Sequence, residues 1–285
     1  MIDPSPGPRK ATRVRLLNDG RRAARQPVRY ARDMAESSAT DPGPDAPGTR
    51  TDIPAPAIAG LLLAAGGGRR LGGRPKALLP HRGRPLVEHA ARALRDGGCA
   101  PVHVVLGAAE EEVRERAELP GCVLVGNPHW AEGMGSSLRA GLASLSPHTP
   151  PDAPLSRPPL HPPFGTTPPG PGPGAHGTAP YEVTAVVVAL VDQPGVGAEA
   201  VARVRAAFRS RTSLAAAAYD GRRGHPVLFG AAHWAAVADR AVGDRGARAY
   251  LAEHHDALEL VDCSGIASPG DIDTPEDLHR LNGGS

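Results

Sequence analysis

Residues 58–79, IAGLLLAAGGGRRLGGRPKALL, constrain the fold more than any other stretch of the 285-residue chain. The apolar run from Ile58 to Ala65 has the length of a buried strand. It runs into Gly66, Gly67 and Gly68, then Arg69 and Arg70, then Gly72-Gly73 and Arg74-Pro75-Lys76. Glycines reach positive φ at little cost and carry no Cβ, so consecutive backbone N–H groups can converge on an anion. Arginine and lysine supply the counter-charge that a polyphosphate needs. The stretch predicts a triphosphate-binding loop at the carboxyl end of the first strand of an α/β sheet. Two better-known phosphate motifs fail on spacing. G-x-G-x-x-G counted from Gly66 and Gly68 ends on Leu71, and a P-loop is lost because Arg74 follows Gly73 and Ala77 follows Lys76.

The chain is long enough for one large domain or two small ones. Apolar residues make up 40%, enough for a core, but aromatics only 3%, so valine, leucine and small residues must do most of the packing. The 35 glycines and 32 prolines are unevenly spread. Residues 1–56 are rich in Arg, Pro, Asp and Ala and predict a disordered basic tail with too little apolar surface to offset ordering entropy. The tail holds Met34; a start there would remove the first 33 residues, which the intact mass of the native protein would reveal. Residues 146–180 hold 13 prolines in 35 residues and predict a disordered Pro/Gly-rich insertion. The remaining 57–282 read as one domain interrupted by that insertion. A net charge of +2 gives no case for nucleic acid or an anionic membrane. No run reaches transmembrane length. Cys99, Cys122 and Cys263 are scattered in no metal-ligand pattern, which suits the cytoplasm.

The ordered parts alternate in type. Pro85–Arg95 has helical spacing, Pro101–Gly107 reads as a short buried strand, Glu110–Glu118 as a charged helix and Cys122–Val125 as a third strand. This β-α-β-α-β order predicts a doubly wound, mostly parallel sheet with helices on both faces, and a site at the strands' carboxyl ends. Residues 127–142, NPHWAEGMGSSLRAGL, fall at such an end. Ser136 or Ser137 is expected to cap a helix that turns Leu138, Leu142 and Leu145 inward, beside a possible anion or ribose site. Val183–Val191 is the strongest strand and runs into Asp192-Gln193-Pro194. A carboxylate there stands at the rim of the crevice, where Mg²⁺ takes one or two carboxylates plus substrate phosphates. A helix at Gly197–Arg209 and strands at Leu214–Tyr219 and His225–Phe229 follow. Asp244 is expected to cap a helix through Leu251, and a last strand covers Ala257–Val261. Thr274, Pro275 and Asp277 then mark a capped helix start.

LAAGGGRRLG followed by PK resembles the signature of nucleotidyltransferases acting on molybdopterin, through Leu63, Ala64, Ala65, Gly66, Arg70, Leu71, Gly72 and Lys76. N-P-x-W-x-x-G-M-x-x-S-L-R-x-G, the D-Q-P triplet, R-G-H-P-V-L-F, G-D-R-G-A-R and D-I-D-T-P-E-D-L look like further elements of that family, in order, over 58–145 and 183–281. The resemblance identifies the chain as molybdenum cofactor cytidylyltransferase-like. It implies a three-layer α/β/α, Rossmann-like nucleotidyltransferase fold and Mg²⁺-dependent transfer of a nucleotidyl group from CTP to the phosphate of molybdopterin, releasing pyrophosphate. Lys76, Arg70 and Asp192 would be catalytic. Leu63, Ala64, Ala65, Gly66, Gly67, Gly68, Asn127, Ser136 and Ser137 would join Arg70 and Lys76 in holding the nucleotide, and His225 and Arg248 would meet the acceptor. Asp192 would be the principal metal ligand. Asp273 is favoured as the second carboxylate, with Asp271 its rival. CTP over GTP rests on Ala65, where the guanylyl branch has glycine. The alternatives are guanylyl transfer, another phosphorylated acceptor such as a sugar phosphate, or a non-catalytic cofactor chaperone. A molybdenum hydroxylase or its maturation factor is the partner the resemblance suggests.

Overall fold

The computed structural model describes residues 56–146 and 182–282. The tail and the proline-rich insertion read from the sequence lie outside the described residues, apart from their boundary residues 56 and 146. The first strand, β1 (Ala57–Leu63), is buried on both faces, as its continuous apolar run requires. A small hairpin of β2 (Pro80–His81) and β3 (Arg84–Pro85) follows, then α1 (Leu86–Asp96), β4 (Val102–Leu106), α2 (Glu110–Arg116), β5 (Cys122–Gly126) and α3 (Met134–Leu145). The second stretch holds β6 (Val183–Leu190), α4 (Ala198–Arg205), β7 (Leu214–Tyr219), β8 (Arg222–Gly230), α5 (Trp234–Arg240), α6 (Arg248–Glu253), β9 (Glu259–Asp262) and α7 (His279–Asn282). Seven strands form one sheet in the order β5-β4-β1-β6-β8-β7-β9. β8 runs antiparallel to both its neighbours and the other pairings are parallel, so the mostly parallel, Rossmann-like sheet expected from the sequence is present.

β8 is reversed because its connection to β7 is a two-residue turn. Asp220 and Gly221 both adopt positive φ, at 50° and 76°, which suits the turn type whose twist matches paired strands. Reversal has a functional consequence: the start of β8 lies on the rim reached by the ends of β1 and β6.

Side-chain alternation along β1 divides the core. Ile58 and Leu62 join one buried cluster with Leu94 of α1 and Val201 of α4. Ala59, Leu61 and Leu63 join the other with Leu138 and Leu142 of α3 and Val237 of α5. Helices thus cover both faces of the sheet, and the inward side of α3 is the one its spacing predicts. The three cysteines are unpaired, and burial raises the Cys99 thiol to about 12. Among the described residues no helix is long and apolar enough to cross a membrane.

Several boundaries differ from the sequence reading, among them the start of β8, which begins three residues early at Arg222. α4 ends at Arg205, four residues short of the expected helix. β9 starts two residues late because His255–Ala257 form a 3-10 turn. Asp244 caps no helix: it sits in a separate turn, Gly243–Arg245, closed by Gly246 at φ 51°, and α6 begins only at Arg248. Leu62, fully buried, tests the core. Leu62→Ala is expected to cost about 2–5 kcal/mol, seen as a lower urea midpoint with an unchanged m-value.

Candidate active site

A cavity of about 750 Å³ opens on the rim where β1 and β6 end and β8 begins. The glycine loop, the start of α3, the 244–248 turn and the 269–273 segment enclose it. Six basic side chains line it (Arg69, Arg70, Lys76, Arg223, Arg245 and Arg248) against four carboxylates (Asp192, Asp244, Asp271 and Asp273). That excess of two positive charges suits a polyanionic ligand.

Gly68 shapes the loop. Its φ is 60°, and a Cβ there would lie 1.9 Å from the Arg74 carbonyl oxygen. Its own carbonyl accepts from the N–H groups of Leu71 at 2.8 Å and Gly73 at 3.1 Å, which folds the chain back so that Leu71 is buried while Arg69 and Arg70 face outward. Among the described residues, the N–H groups of Gly66, Gly67 and Gly68 donate to no backbone carbonyl. They are therefore available to an anion in the cavity that these residues line. Trp130 packs against this loop: a Cβ on Gly67 would come within 3.2 Å of the indole.

Lys76 leaves the loop at a 3-10 turn and points across the rim. Its Nζ donates to Asp192 Oδ2 at 2.6 Å and to Asp273 Oδ1. Burial opposes the ammonium's charge, but Asp192 and Asp273 outweigh it and hold its pKa above the ordinary lysine value. Burial raises the Asp192 carboxyl, with Lys76 opposing the shift. Arg70 is looser, 3.8 Å from Asp273 Oδ2 with its side chain 76% exposed.

Backbone fixes the carboxylates. Ile272 N–H donates to Asp192 O at 2.8 Å, tying the 271–273 segment to the end of β6. Asp277 accepts from the N–H groups of Asp273 and Thr274 in the capping box expected at Thr274. Asp271 takes a different partner, accepting from Gln193 Nε2 at 2.8 Å. That bond orients the Gln193 amide and leaves its buried Oε1 without a partner. Among the described residues no three His, Cys, Asp or Glu side chains gather into a metal cage. Two hard carboxylates converging on one cation fit a divalent ion that takes its remaining ligands from water and phosphates.

Most of the sequence-predicted residues converge on this cavity. Leu63, Ala65, Gly66, Gly67, Gly68, Arg70, Lys76, Ser137, Asp192, His225, Arg248, Asp271 and Asp273 all line it. Ala64, Asn127 and Ser136 do not; they are buried behind its wall. Asn127 Nδ2 donates to Ser136 Oγ at 2.9 Å and Ser137 Oγ at 3.1 Å, and Ser136 Oγ donates to His129 O at 2.8 Å. Neither serine caps α3, because Gly133 caps that helix three residues before Ser136, at φ 105°. The serines instead join its first turn to the Asn127 loop. At the β8 end of the cavity, two strands from the glycine loop, Arg223 and Arg248 lie beside His225, and Val188, Val227 and Phe229 add an apolar lining. Burial first, then Arg248 and Arg223, pushes the His225 pKa down to about 4. Arg223, Trp130 and the apolar lining were not singled out from the sequence, although Trp130 lies in the N-P-x-W motif and Arg223, Val227 and Phe229 lie in R-G-H-P-V-L-F.

Comparisons with known proteins agree with this geometry. The profile of the MobA-like NTP transferase domain matches residues 60–258. The nicotine blue oxidoreductase of Paenarthrobacter nicotinovorans is 38% identical over 237 residues, covering 81% of this chain and 98% of that protein. A probable molybdenum cofactor guanylyltransferase of Opitutus terrae is 37% identical over 90 residues, covering 32% of this chain and 44% of that protein. Among solved structures, the manganese complex of Rv0371c from Mycobacterium tuberculosis superposes with a TM-score of 0.56 at 25% identity, covering 80% of this chain and 98% of that one.

Two measurements probe the site. Gly68→Ala forces a Cβ onto a carbonyl oxygen in a left-handed conformation, so nucleotide affinity, read by calorimetry, is expected to fall by about tenfold or more while the sheet stays folded. His225 is expected to titrate near 4 by NMR. As pH falls from about 6.5, the unfolded chain protonates this histidine before the folded chain does. Stability therefore declines across that window, and the decline should be shallower in His225→Gln.

Proposed function

The chain belongs to the MobA-like NTP transferase family, a family of nucleotidyltransferases, and on that premise we propose that it transfers a cytidylyl group from CTP to the terminal phosphate of molybdopterin, with or without its molybdenum. The observation that carries the reading is the meeting of Lys76, Asp192 and Asp273 beside a glycine loop with free N–H groups. In the reaction an acceptor phosphate oxygen attacks the α-phosphorus of CTP. A new P–O bond forms, the bond to the β-phosphate oxygen breaks, and pyrophosphate leaves. The nucleophile arrives ionised, so the protein needs to supply no base or nucleophile of its own. Its contribution is alignment and charge neutralisation.

Each residue then has a defined task. Gly66, Gly67 and Gly68 cradle the triphosphate with backbone N–H groups. Lys76 and Arg70 offset charge on the α-phosphate and the leaving pyrophosphate. Asp192 and Asp273 are the residues that would hold Mg²⁺, which would supply Lewis-acid polarisation of the phosphates. The manganese complex of Rv0371c supports a divalent ion in this fold. Gln193 draws Asp271 to itself, so Asp271 is left outside the pair that shares Lys76. At the β8 end Arg248 and Arg223 bind the anionic part of the acceptor. His225 offers a neutral imidazole there, since its pKa is depressed to about 4. The base preference rests on Ala65, which lines the cavity; its methyl faces Gly107, where an added Cβ would stand 2.8 Å away.

A second reading has one support. The relative matched over 98% of its length is named an oxidoreductase acting on nicotine blue. Nucleotidyl transfer gives a direct task to a lysine held between two carboxylates beside a glycine loop. The deciding experiment follows pyrophosphate release with Mg²⁺ and molybdopterin, comparing CTP, GTP and ATP, with a parallel arm offering nicotine blue and a reductant. Turnover with CTP is expected. Lys76→Ala is expected to lose at least about a hundredfold in kcat while keeping nucleotide binding. Turnover with GTP would discard the argument from Ala65. Nucleotide and pterin binding without pyrophosphate release would favour a cofactor chaperone, and dye reduction alone would overturn nucleotidyl transfer.

A further inference from the structure

We infer that Lys76 is the resident counter-cation of the Asp192–Asp273 pair in the ligand-free protein, and that a divalent ion enters only as the lysine leaves. The inference deepens the nucleotidyl-transfer reading and rests on it in one respect, that this pair is the metal site. Lys76 Nζ is 2.6 Å from Asp192 Oδ2 and bonds Asp273 Oδ1 as well. One ammonium therefore sits where a cation shared by both carboxylates would lie. Mg²⁺ binds oxygen at about 2.0–2.1 Å, so ammonium and metal cannot share that point. The lysine and Asp192 side chains are only 14% and 18% exposed, which leaves little water to screen the two positive charges from each other. Arg70, on the exposed side of Asp273, adds further positive charge.

The lysine has somewhere else to go. Its flexible stem starts beside the glycine loop, and the phosphates expected on that loop are better partners for an ammonium than a carboxylate pair already claimed by a metal. A nucleotide would therefore draw Lys76 off the carboxylates and deliver phosphate ligands to the ion. Metal binding should be weak alone and strong with nucleotide. Removal of a cationic side chain is ordinarily expected to damage such a site; here it should open the site to metal.

Mn²⁺ is a suitable probe, with free ion counted by electron paramagnetic resonance on the full-length protein without nucleotide. Lys76→Met, similar in size and uncharged, is expected to bind Mn²⁺ about tenfold or more tightly than wild type, a modest fraction of what loss of a neighbouring unit charge yields. Its melting temperature should be reduced without metal, because Asp192 is left buried and unpaired, and Mn²⁺ should raise it more than in wild type. Lys76→Arg keeps the charge and should bind as weakly as wild type. A non-hydrolysable CTP analogue should tighten Mn²⁺ binding in wild type. Equal Mn²⁺ affinity in wild type and Lys76→Met, or Lys76→Arg binding as tightly as Lys76→Met, would overturn the exchange while leaving the metal site standing. Mn²⁺ on none of these proteins, with or without the CTP analogue, would overturn both.

Discussion

Two carboxylates and one ammonium meet at the rim although 116 and 197 residues of chain separate Lys76 from its partners. Left alone, Asp192 and Asp273 would repel each other, and Asp192 would also bear the cost of burial. An ion pair this shielded contributes little net stability, because desolvation consumes most of the Coulombic gain. The charges therefore do not build the site; the backbone forces them together. β6 ends at Leu190, in register with Leu63 at the end of β1, and Val191 N–H still reaches Leu63 O, which sets Asp192 just beyond the sheet. The 271–273 segment is fastened to Asp192 O through Ile272 N–H, and Asp277 holds the backbone at Asp273. Lys76 makes the enforced approach tolerable.

The same rim receives a second group of residues because one strand runs backwards. Had β8 been parallel to β6, Arg223 and His225 would lie at the opposite edge of the sheet, far from the glycine loop. The positive φ of Asp220 and Gly221 permits the tight turn that reverses it. The parallel half of the sheet thus supplies the anion loop and the carboxylates, and the hairpin supplies a basic, partly apolar wall facing them. Trp130 buttresses the anion loop from within the parallel half: its ring packs on Gly67, and its Cβ would clash with any side chain at Gly107.

How much of this was legible follows from the reach of each signal. Strands buried on both faces read as apolar runs, so β1, β4 and β6 were visible to within a residue or two, and with them the rim and the position of Asp192. The capping box at Thr274 is local chemistry and was visible too. The Asn127–Ser136–Ser137 network was not, because a serine two residues into a helix has the same local sequence as one at its cap; only Gly133 at φ 105° decides between them. The Asp244 cap failed for a similar reason, a glycine at positive φ that closes one turn before the helix starts. The separation of Asp271 from Asp273 depends on Gln193, 78 residues away from Asp271. No spacing rule within D-I-D carries that information.

Cavity size and charge together favour a site for two reactants. About 750 Å³ falls toward the upper part of the roughly 300–1,000 Å³ range for ligand pockets, and its lining changes character from one end to the other. One end is backbone N–H, lysine and carboxylate, a surface for phosphates and a hard cation. The other combines Arg223, Arg248 and a neutral His225 with aliphatic and aromatic side chains, which would suit a flat molecule with an anionic tail. The glycine loop and the Lys76 triad share one opening with that basic, apolar wall, so in the proposed reaction an acceptor phosphate would approach a triphosphate held on the loop. That pairing of two surfaces is the strongest physical support for group transfer between two bound molecules.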